Sequence, residues 1–357
     1  MKKEITIYKI AKESGVSVST VSRVLNNNPN VSAKSLERIN AVIEKYNFTP
    51  SSLARAMISN KTGTLGVVMP DITNPYFSSL FLEIQRFALD YKYSIILCNT
   101  LYGGSSHGVA SPINELQYFQ MMLDKKVDGV IITGGEIDRD IVSDEYVNAL
   151  NNLNQSVPVV VIGQTIENCK CVFINRNLSG GISPLIHHLL ALGRKRIGFV
   201  GGEEGIKATT ARCEAYRQTL QNFSIPYDPS IVALSNYYYP DGYKAMMSIL
   251  DNDSPNPTAV IAINDMVAVG SIRAINDKGL RVPEDISVVS SDQFYESEYT
   301  TPRLTTLDQQ NSHLGRLSIM GLISLMNGVS DTINISHSPS LIIRESCGAQ
   351  LKHHFDK

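Results

Sequence analysis

TIYKIAKESGVSVSTVSRVLN, residues 6–26, sets two short amphipathic segments on either side of a glycine. In the first, Ile7, Ile10 and Ala11 fall at i, i+3, i+4; in the second, Val21, Val24 and Leu25 repeat that spacing, so each predicted helix offers one apolar stripe to the other. Ala11 is small enough for close helix crossing, Gly15 can take the positive φ of a tight turn, and the Ser17 hydroxyl can cap the second helix. This is the layout of a helix-turn-helix. Ser19, Ser22 and Arg23 lie on the outer face of its second helix, where base edges are met in the major groove. Arg23 is the expected reader of guanine, a bidentate contact worth roughly 1–3 kcal/mol of discrimination, and the Val18 methyls can pack on a thymine methyl. The same residues would also suit a small helical hairpin with a solvated face.

The sequence that follows favours the nucleic-acid reading. Ser32 can cap a third helix in which Leu36, Ile39, Ile43 and Tyr46 keep helical spacing, giving a three-helix unit that ends near Pro50. Residues 1–60 hold nine Lys or Arg against four Asp or Glu, a balance of +5, which leaves −7 on the remainder of a chain whose net charge is −2. A basic head on an acidic body attracts phosphates at one end and is repelled at the other.

With 357 residues, the chain suits two or three domains. No apolar run reaches the length of a membrane span, and MKKEITIYKI lacks the apolar core and cleavage site of a secretory signal, so no membrane partner and a cytoplasmic location are expected. The five cysteines, Cys98, Cys169, Cys171, Cys213 and Cys347, are odd in number and lack CxxC spacing. They read as reduced packing residues, with no metal site. No P-loop, GxSxG elbow or HExxH helix appears, so neither an enzyme nor a cofactor is expected.

SSLARAMISNKTG, residues 51–63, has helix formers in its middle and turn residues after them. It is too short to be a stable helix alone, since isolated helices below about 12 residues are marginal in water. Here VSVSTVSRVLN, VSAKSLERI and PSSLARAM together, in order and spacing, closely resemble the headpiece and hinge of the LacI/GalR family of bacterial repressors, and the likeness extends over nearly the whole chain. The resemblance implies a homodimer bound to a near-palindromic double-stranded operator. It implies DNA contacts from Thr6, Ser17, Val18, Ser19, Ser22, Arg23, Asn26, Ser32 and Ala54. It also implies that Met57 stands where the family usually places a leucine wedge in the minor groove.

From Leu65 onward β-rich runs alternate with helical stretches: TLGVVM, YSIILC, DGVIIT and VPVVVIG, then a second series of CVFI, RIGFVG, SIVAL, TAVIAI and DISVVS. Such alternation means parallel, doubly wound sheets, and two series mean two lobes with a ligand cleft between them. The expected fold is an all-α headpiece over residues 1–50, a hinge over 51–62 and an α/β periplasmic-binding-protein-like core over 63–345. By resemblance, lobe 1 takes about 63–163 and 294–328, lobe 2 about 164–293 and 329–345, and a tail covers 346–357. NTLYGGSSHGVASPIN, residues 99–114, falls outside this rhythm and reads as a surface insertion or a lid.

Family motifs place the effector residues. DITNPYF supplies Asp71, Asn74, Tyr76 and Phe77; TTARCEAYRQTL supplies Arg212; SNYYYPDGY supplies Tyr237, with Tyr238 and Tyr239 as rivals. AINDMVAVG and SSDQ supply Asn264 and Asp292, and PRLTTLDQ supplies Gln309. An arginine, carboxylates, amides and an aromatic face suit a polyhydroxylated ligand, whose hydroxyls pair with charged groups while its C–H face stacks on a ring. Two departures, Ser290-Ser291-Asp292-Gln293 in place of GFDD and Asn175 in place of an aspartate, point to a specificity unlike that of common members.

The expected function is a repressor of a carbohydrate operon, released when a small sugar-type effector closes the cleft. A coupling of roughly 1–3 kcal/mol would shift DNA affinity about 5- to 150-fold. The alternatives are a catabolite-control-type regulator with a phosphoprotein corepressor and a solute-binding protein. The C-terminus lacks the leucine heptad of a tetramer, so a dimer is expected. Met57→Ala should weaken operator binding in a titration and leave effector binding unchanged; equal operator affinity in parent and variant would remove the wedge.

Overall fold

The computed structural model describes residues 5–25, 30–48, 61–101, 114–329 and 339–350. Asn26, Ala54, Met57, most of the 51–62 hinge, most of the 99–114 stretch and the chain beyond 350 lie outside the described residues. The chain forms two compact units, one built on residues 1–64 and one holding nearly all the rest.

The first unit contains α1 (Ile7–Ser14), α2 (Val18–Leu25) and α3 (Ala33–Tyr46). Gly15 ends α1 at φ 68°, in the left-handed region where a Cβ would be strained. Ile10, Ala11, Val21, Val24 and Ile39 close over one small core. The Ser17 hydroxyl caps α2 by accepting from Thr20 N at 3.2 Å, and Ser32 caps α3 by accepting from Ser35 N at 3.3 Å. Tyr46 Oη donates to Glu13 at 2.6 Å and Lys45 reaches the same carboxylate at 3.2 Å, tying α3 to α1. One expectation fails here: Leu36, assigned to the apolar stripe, is 42% exposed, because the small core is already filled by Ile39 and its neighbours.

The second unit has two parallel sheets. The first runs β1 (Thr64–Met69), α4 (Pro75–Asp90), β2 (Ser94–Asn99), α5 (Glu115–Lys125), β3 (Gly129–Thr133), α6 (Asp144–Ser156), β4 (Val159–Ile162) and β5 (Val172–Ile174), in the order β2-β1-β3-β4-β5. The second runs α7 (Ile182–Ala191), β6 (Ile197–Val200), α8 (Lys207–Asn222), β7 (Val232–Ala233), α9 (Tyr239–Leu250), β8 (Ala259–Ala262), α10 (Asp265–Asp277) and β9 (Ser287–Ser290), in the order β7-β6-β8-β9. VIIT, VVVI and AVIA are buried along their whole length, as β-branched and small apolar runs are when helices cover both faces of a sheet.

The lobe boundaries differ from those expected. CVFI opens no second series: β5 pairs in parallel with β4, Val161 against Phe173, so the first lobe runs to about 174 and does not end at 163. Residues 294–305 likewise stay with the second lobe. Asp265, buried at the start of α10, accepts from Phe294 N at 2.9 Å, from the Ser297 hydroxyl and from Thr306 Oγ1 at 2.9 Å, while Leu304 and Leu307 join the second lobe's core. The chain then forms β10 (Thr306–Asp308), returns to the first lobe as α11 (Asn311–Met326) and comes back as β11 (Ser340–Ile342), antiparallel to β10. Gly315 lets α11 lie against α4: a Cβ there would stand 3.0 Å from the Glu83 carbonyl carbon. The tail also begins later than 346, since Ser346 bonds Val288 O at 2.6 Å and Cys347 is fully buried in the second core.

Burial pushes the Asp265 carboxyl up to about 6, against hydrogen bonds that pull it down. A carboxyl raised on folding contributes stability below its unfolded value, and that contribution is lost as pH rises through the folded value. Compared with Asp265→Asn, the parent should therefore lose stability between pH 3.8 and about 6, by on the order of 3 kcal/mol at 1.36 kcal/mol per unit. Urea unfolding across that range checks it; a difference that does not vary with pH would be the contrary result.

Candidate functional site: the recognition helix and the interlobe cleft

On α2 and around it, Thr6, Ser17, Ser19, Arg23 and Ser32 are exposed, and Val18 and Ser22 are half-buried. Burying Val21 and Val24 against α1 fixes which face remains outside, and Ser19, Ser22 and Arg23 occupy it. Arg23 has no ion pair among the described residues, so its guanidinium is available to an external acceptor. The Ser17 hydroxyl is shared among the Thr20 amide, Ser19 Oγ at 2.7 Å and Thr20 Oγ1 at 2.8 Å; its first task is the cap.

Asp71, Asn74, Tyr76, Phe77, Arg212, Tyr237, Asn264, Asp292 and Gln309, placed by motif from six separate segments, all line a single cavity between the two lobes. Topology explains the convergence. Apart from Arg212 on α8 and Gln309 after the antiparallel strand β10, they follow the carboxyl ends of strands β1, β7, β8 and β9, which is where parallel α/β sheets present their loops to a ligand. The cavity encloses about 120 Å³, a space for a small molecule and not for a folded partner.

Arg212 forms the floor. Its Nη2 meets Asp292 Oδ1 at 2.9 Å, Nη1 meets Asp292 Oδ2 at 3.3 Å and the Ile263 carbonyl at 2.7 Å, and Nε meets the Leu178 carbonyl at 3.3 Å. A guanidinium paired with a carboxylate and hydrogen-bonded through four of its five N–H groups is a form in which an arginine tolerates burial. Asn264 caps α10 by accepting from Val267 N at 2.9 Å and donates to the Tyr237 carbonyl at 2.9 Å. Tyr237 shares a hydrogen bond of 2.7 Å with Thr209, and burial pushes its phenol up to about 12. Gln309 donates to the Ser291 carbonyl at 2.6 Å.

The two walls touch. Tyr238 Oη, from the second lobe, donates to Asp71 Oδ2 of the first at 2.6 Å. Asp140 N donates to Gly205 O at 2.9 Å, Thr210 Oγ1 donates to Asp140 Oδ2 at 2.6 Å, and Lys207 Nζ donates to the Ile137 carbonyl at 3.2 Å. Tyr76 packs beside Tyr238, Met266 and Phe294.

Sequence reading missed the pair that faces this wall, Asp138 and Arg176. They form an ion pair at 2.7 Å, and Arg176 Nη1 donates to Tyr76 Oη at 2.8 Å. Burial alone would lower the guanidinium's pKa, but Asp138 and the Tyr76 hydroxyl more than offset it and hold the value above normal. Asp138 follows β3 and Arg176 follows β5, so a search for charged residues just past each parallel strand would have found both. Tyr238, held only as a rival to Tyr237, lines the cavity as well, as does Asn175.

Residues 6–51 match the model of bacterial regulatory proteins of the lacI family, and residues 186–347 match a periplasmic binding protein-like domain. Catabolite control protein A of Staphylococcus xylosus is 32% identical over 323 residues, covering 90% of this chain and 93% of that protein. Among solved structures, the lac repressor dimer bound to operator and the anti-inducer ONPF superposes with a TM-score of 0.82 at 26% identity, covering 97% of this chain and 99% of that one. A LacI family regulator from Enterococcus faecium with bound ribose gives a TM-score of 0.67 at 28% identity, covering 79% of this chain and 98% of that one.

Removing one partner of a buried pair strands the other. Arg212→Met should cost about 3–5 kcal/mol, and adding Asp292→Leu should recover much of it. Urea unfolding reads both variants, and a double variant no more stable than Arg212→Met would contradict the pairing argument.

Proposed function

Because this chain belongs to the lacI family of bacterial regulatory proteins and is thus a DNA-binding transcriptional regulator, we propose that it represses a carbohydrate-utilisation operon and is released by a small sugar-type effector in the interlobe cleft. The observation that carries the reading is the cavity itself. It brings paired guanidinium and carboxylate groups, side-chain amides and the rings of Tyr76, Phe77 and Tyr237 around one small volume. Charged donors and acceptors suit ring hydroxyls and aromatic faces suit a sugar's C–H side. The ribose-bound relative supports a sugar in the corresponding domain.

The regulator acts as a cytoplasmic homodimer on a near-palindromic operator. Leu82 and Leu89 on α4 and Met320 on α11 are exposed on helices that lie side by side, and an apolar face of this kind suits a second copy. Thr6, Ser17, Val18, Ser19, Ser22, Arg23 and Ser32, with Asn26, Ala54 and Met57 beyond the described residues, carry the DNA contact, and Arg23 reads a guanine. Closing the cleft turns the first lobes of the dimer against each other and changes the spacing of the hinge segments. A coupling of roughly 1–3 kcal/mol suffices to switch operator affinity.

The likeness to catabolite control protein A favours a second reading, in which a phosphoprotein tightens DNA binding. One experiment separates them: an operator titration with the full-length protein, repeated with a panel of mono- and disaccharides and with the phosphocarrier protein in its phosphorylated form. The expected result is release by one sugar, with that sugar adding about 2.7 kcal/mol of thermal stability at 100 times its Kd. Tightening by the phosphoprotein with no response to any sugar would replace the first reading by the second.

A further inference from the structure

The Asp138–Arg176 pair is only half used by the protein. Asp138 is 7% exposed, and its Oδ2 is taken by Arg176, but its Oδ1 is buried without a hydrogen-bond partner, as is Arg176 Nε. Gly163 packs against that oxygen: a Cβ there would stand 3.4 Å from Asp138 Oδ1. A buried carboxylate oxygen left unpaired is costly, and Asp138 lines the cavity. A donor entering from the cavity would satisfy it.

The charge of the cavity restricts which molecule brings that donor. Asp71, Asp138, Glu203 and Asp292 face two guanidiniums, those of Arg176 and Arg212, a balance of −2. Both guanidiniums are already paired with carboxylates, with Arg176 Nε left over. Arg212 is held by both Asp292 oxygens and two carbonyls, and Arg176 by Asp138 and Tyr76. Of the helix N-termini at the cavity, which attract anions when open, those of α4 and α10 are capped, Asn74 accepting from Tyr76 N at 3.0 Å and Asn264 from Val267 N at 2.9 Å, whereas α8, whose first residues also line the cavity, has no side-chain cap. Lys207 donates a hydrogen bond to the Ile137 carbonyl at 3.2 Å. Glu203 has no ion pair among the described residues.

We infer that the cleft selects an uncharged, hydroxyl-bearing ligand, one hydroxyl of which donates to Asp138 Oδ1, and rejects phosphorylated forms of the same molecule. The inference rests on the sugar reading above and deepens it. A phosphate would bring up to two negative charges into a partly desolvated site already short of positive charge. A hydroxyl is both donor and acceptor, so it can meet the empty oxygen without adding charge.

The test is calorimetric titration of the full-length protein with matched pairs: glucose and glucose 6-phosphate, ribose and ribose 5-phosphate, fructose and fructose 1-phosphate, maltose and maltose 6′-phosphate. The expected result is that the neutral member of one pair binds and its phosphate binds at least about tenfold more weakly. Asp138→Asn should weaken the neutral ligand by a similar factor. Glu203→Gln removes one charge from the cavity wall without touching the buried pair, and should narrow the gap between neutral and phosphorylated forms several-fold. Equal or tighter binding of the phosphate, or a gap unmoved by Glu203→Gln, overturns this inference and leaves the sugar reading standing. No binding by either member of any pair overturns both.

Discussion

The cleft depends on one buried charge. Arg212 would be expelled from the protein if its guanidinium were not surrounded by acceptors, and those four acceptor atoms come from three places in the second lobe: the turn before α7, the end of β8, and both oxygens of a carboxylate after β9. Satisfying one side chain therefore fixes the relative positions of three loops. The same side chain that would recognise a polar ligand also builds the wall that ligand meets. Evolution of a new specificity in this frame has more freedom at Glu203, which borders the cavity and has no ion pair among the described residues.

The headpiece was legible in the sequence because it is local. Its three helices, the glycine at φ 68° and both serine caps follow from spacing within fifty residues, and only Leu36 misled, because periodicity marks a face but not the limit of the core. The strands of the body were legible for a similar reason, being runs of β-branched residues bounded by turns. What periodicity could not supply was membership. CVFI looks the same whether it extends the first sheet or opens the second, and the decision is made by the register with β4. Residues 294–308 have no repeat of their own; they stay with the second lobe because the Asp265 carboxylate, invisible to pattern reading as anything but a helix-start residue, collects their amide and hydroxyl groups.

The cleft shows the same division. Nine residues taken from motif positions converge on one cavity. The motifs did not reveal Asp138 and Arg176, which lie 38 positions apart on loops that meet only because β3 and β5 flank β4 in the sheet. Tyr238 was undecidable by counting among three consecutive tyrosines. Its place follows from helix packing: Gly242 of α9 and Gly270 of α10 let the two helices approach so closely that a Cβ on either would meet backbone within 2.3 Å, and this aligns the start of α9 with the start of α10 at the cleft.

The contacts between the walls have a kinetic consequence. Tyr238 with Asp71 at the cavity, and Thr210 with Asp140 and Lys207 with Ile137 beyond its lining, join the two lobes, so opening the cleft requires several bonds to part together. The dwell time of a trapped molecule is then set by the opening of the jaws as well as by its own fit. A regulator built this way averages over brief dips in the concentration of whatever molecule its cleft holds, and its response at DNA lags behind them.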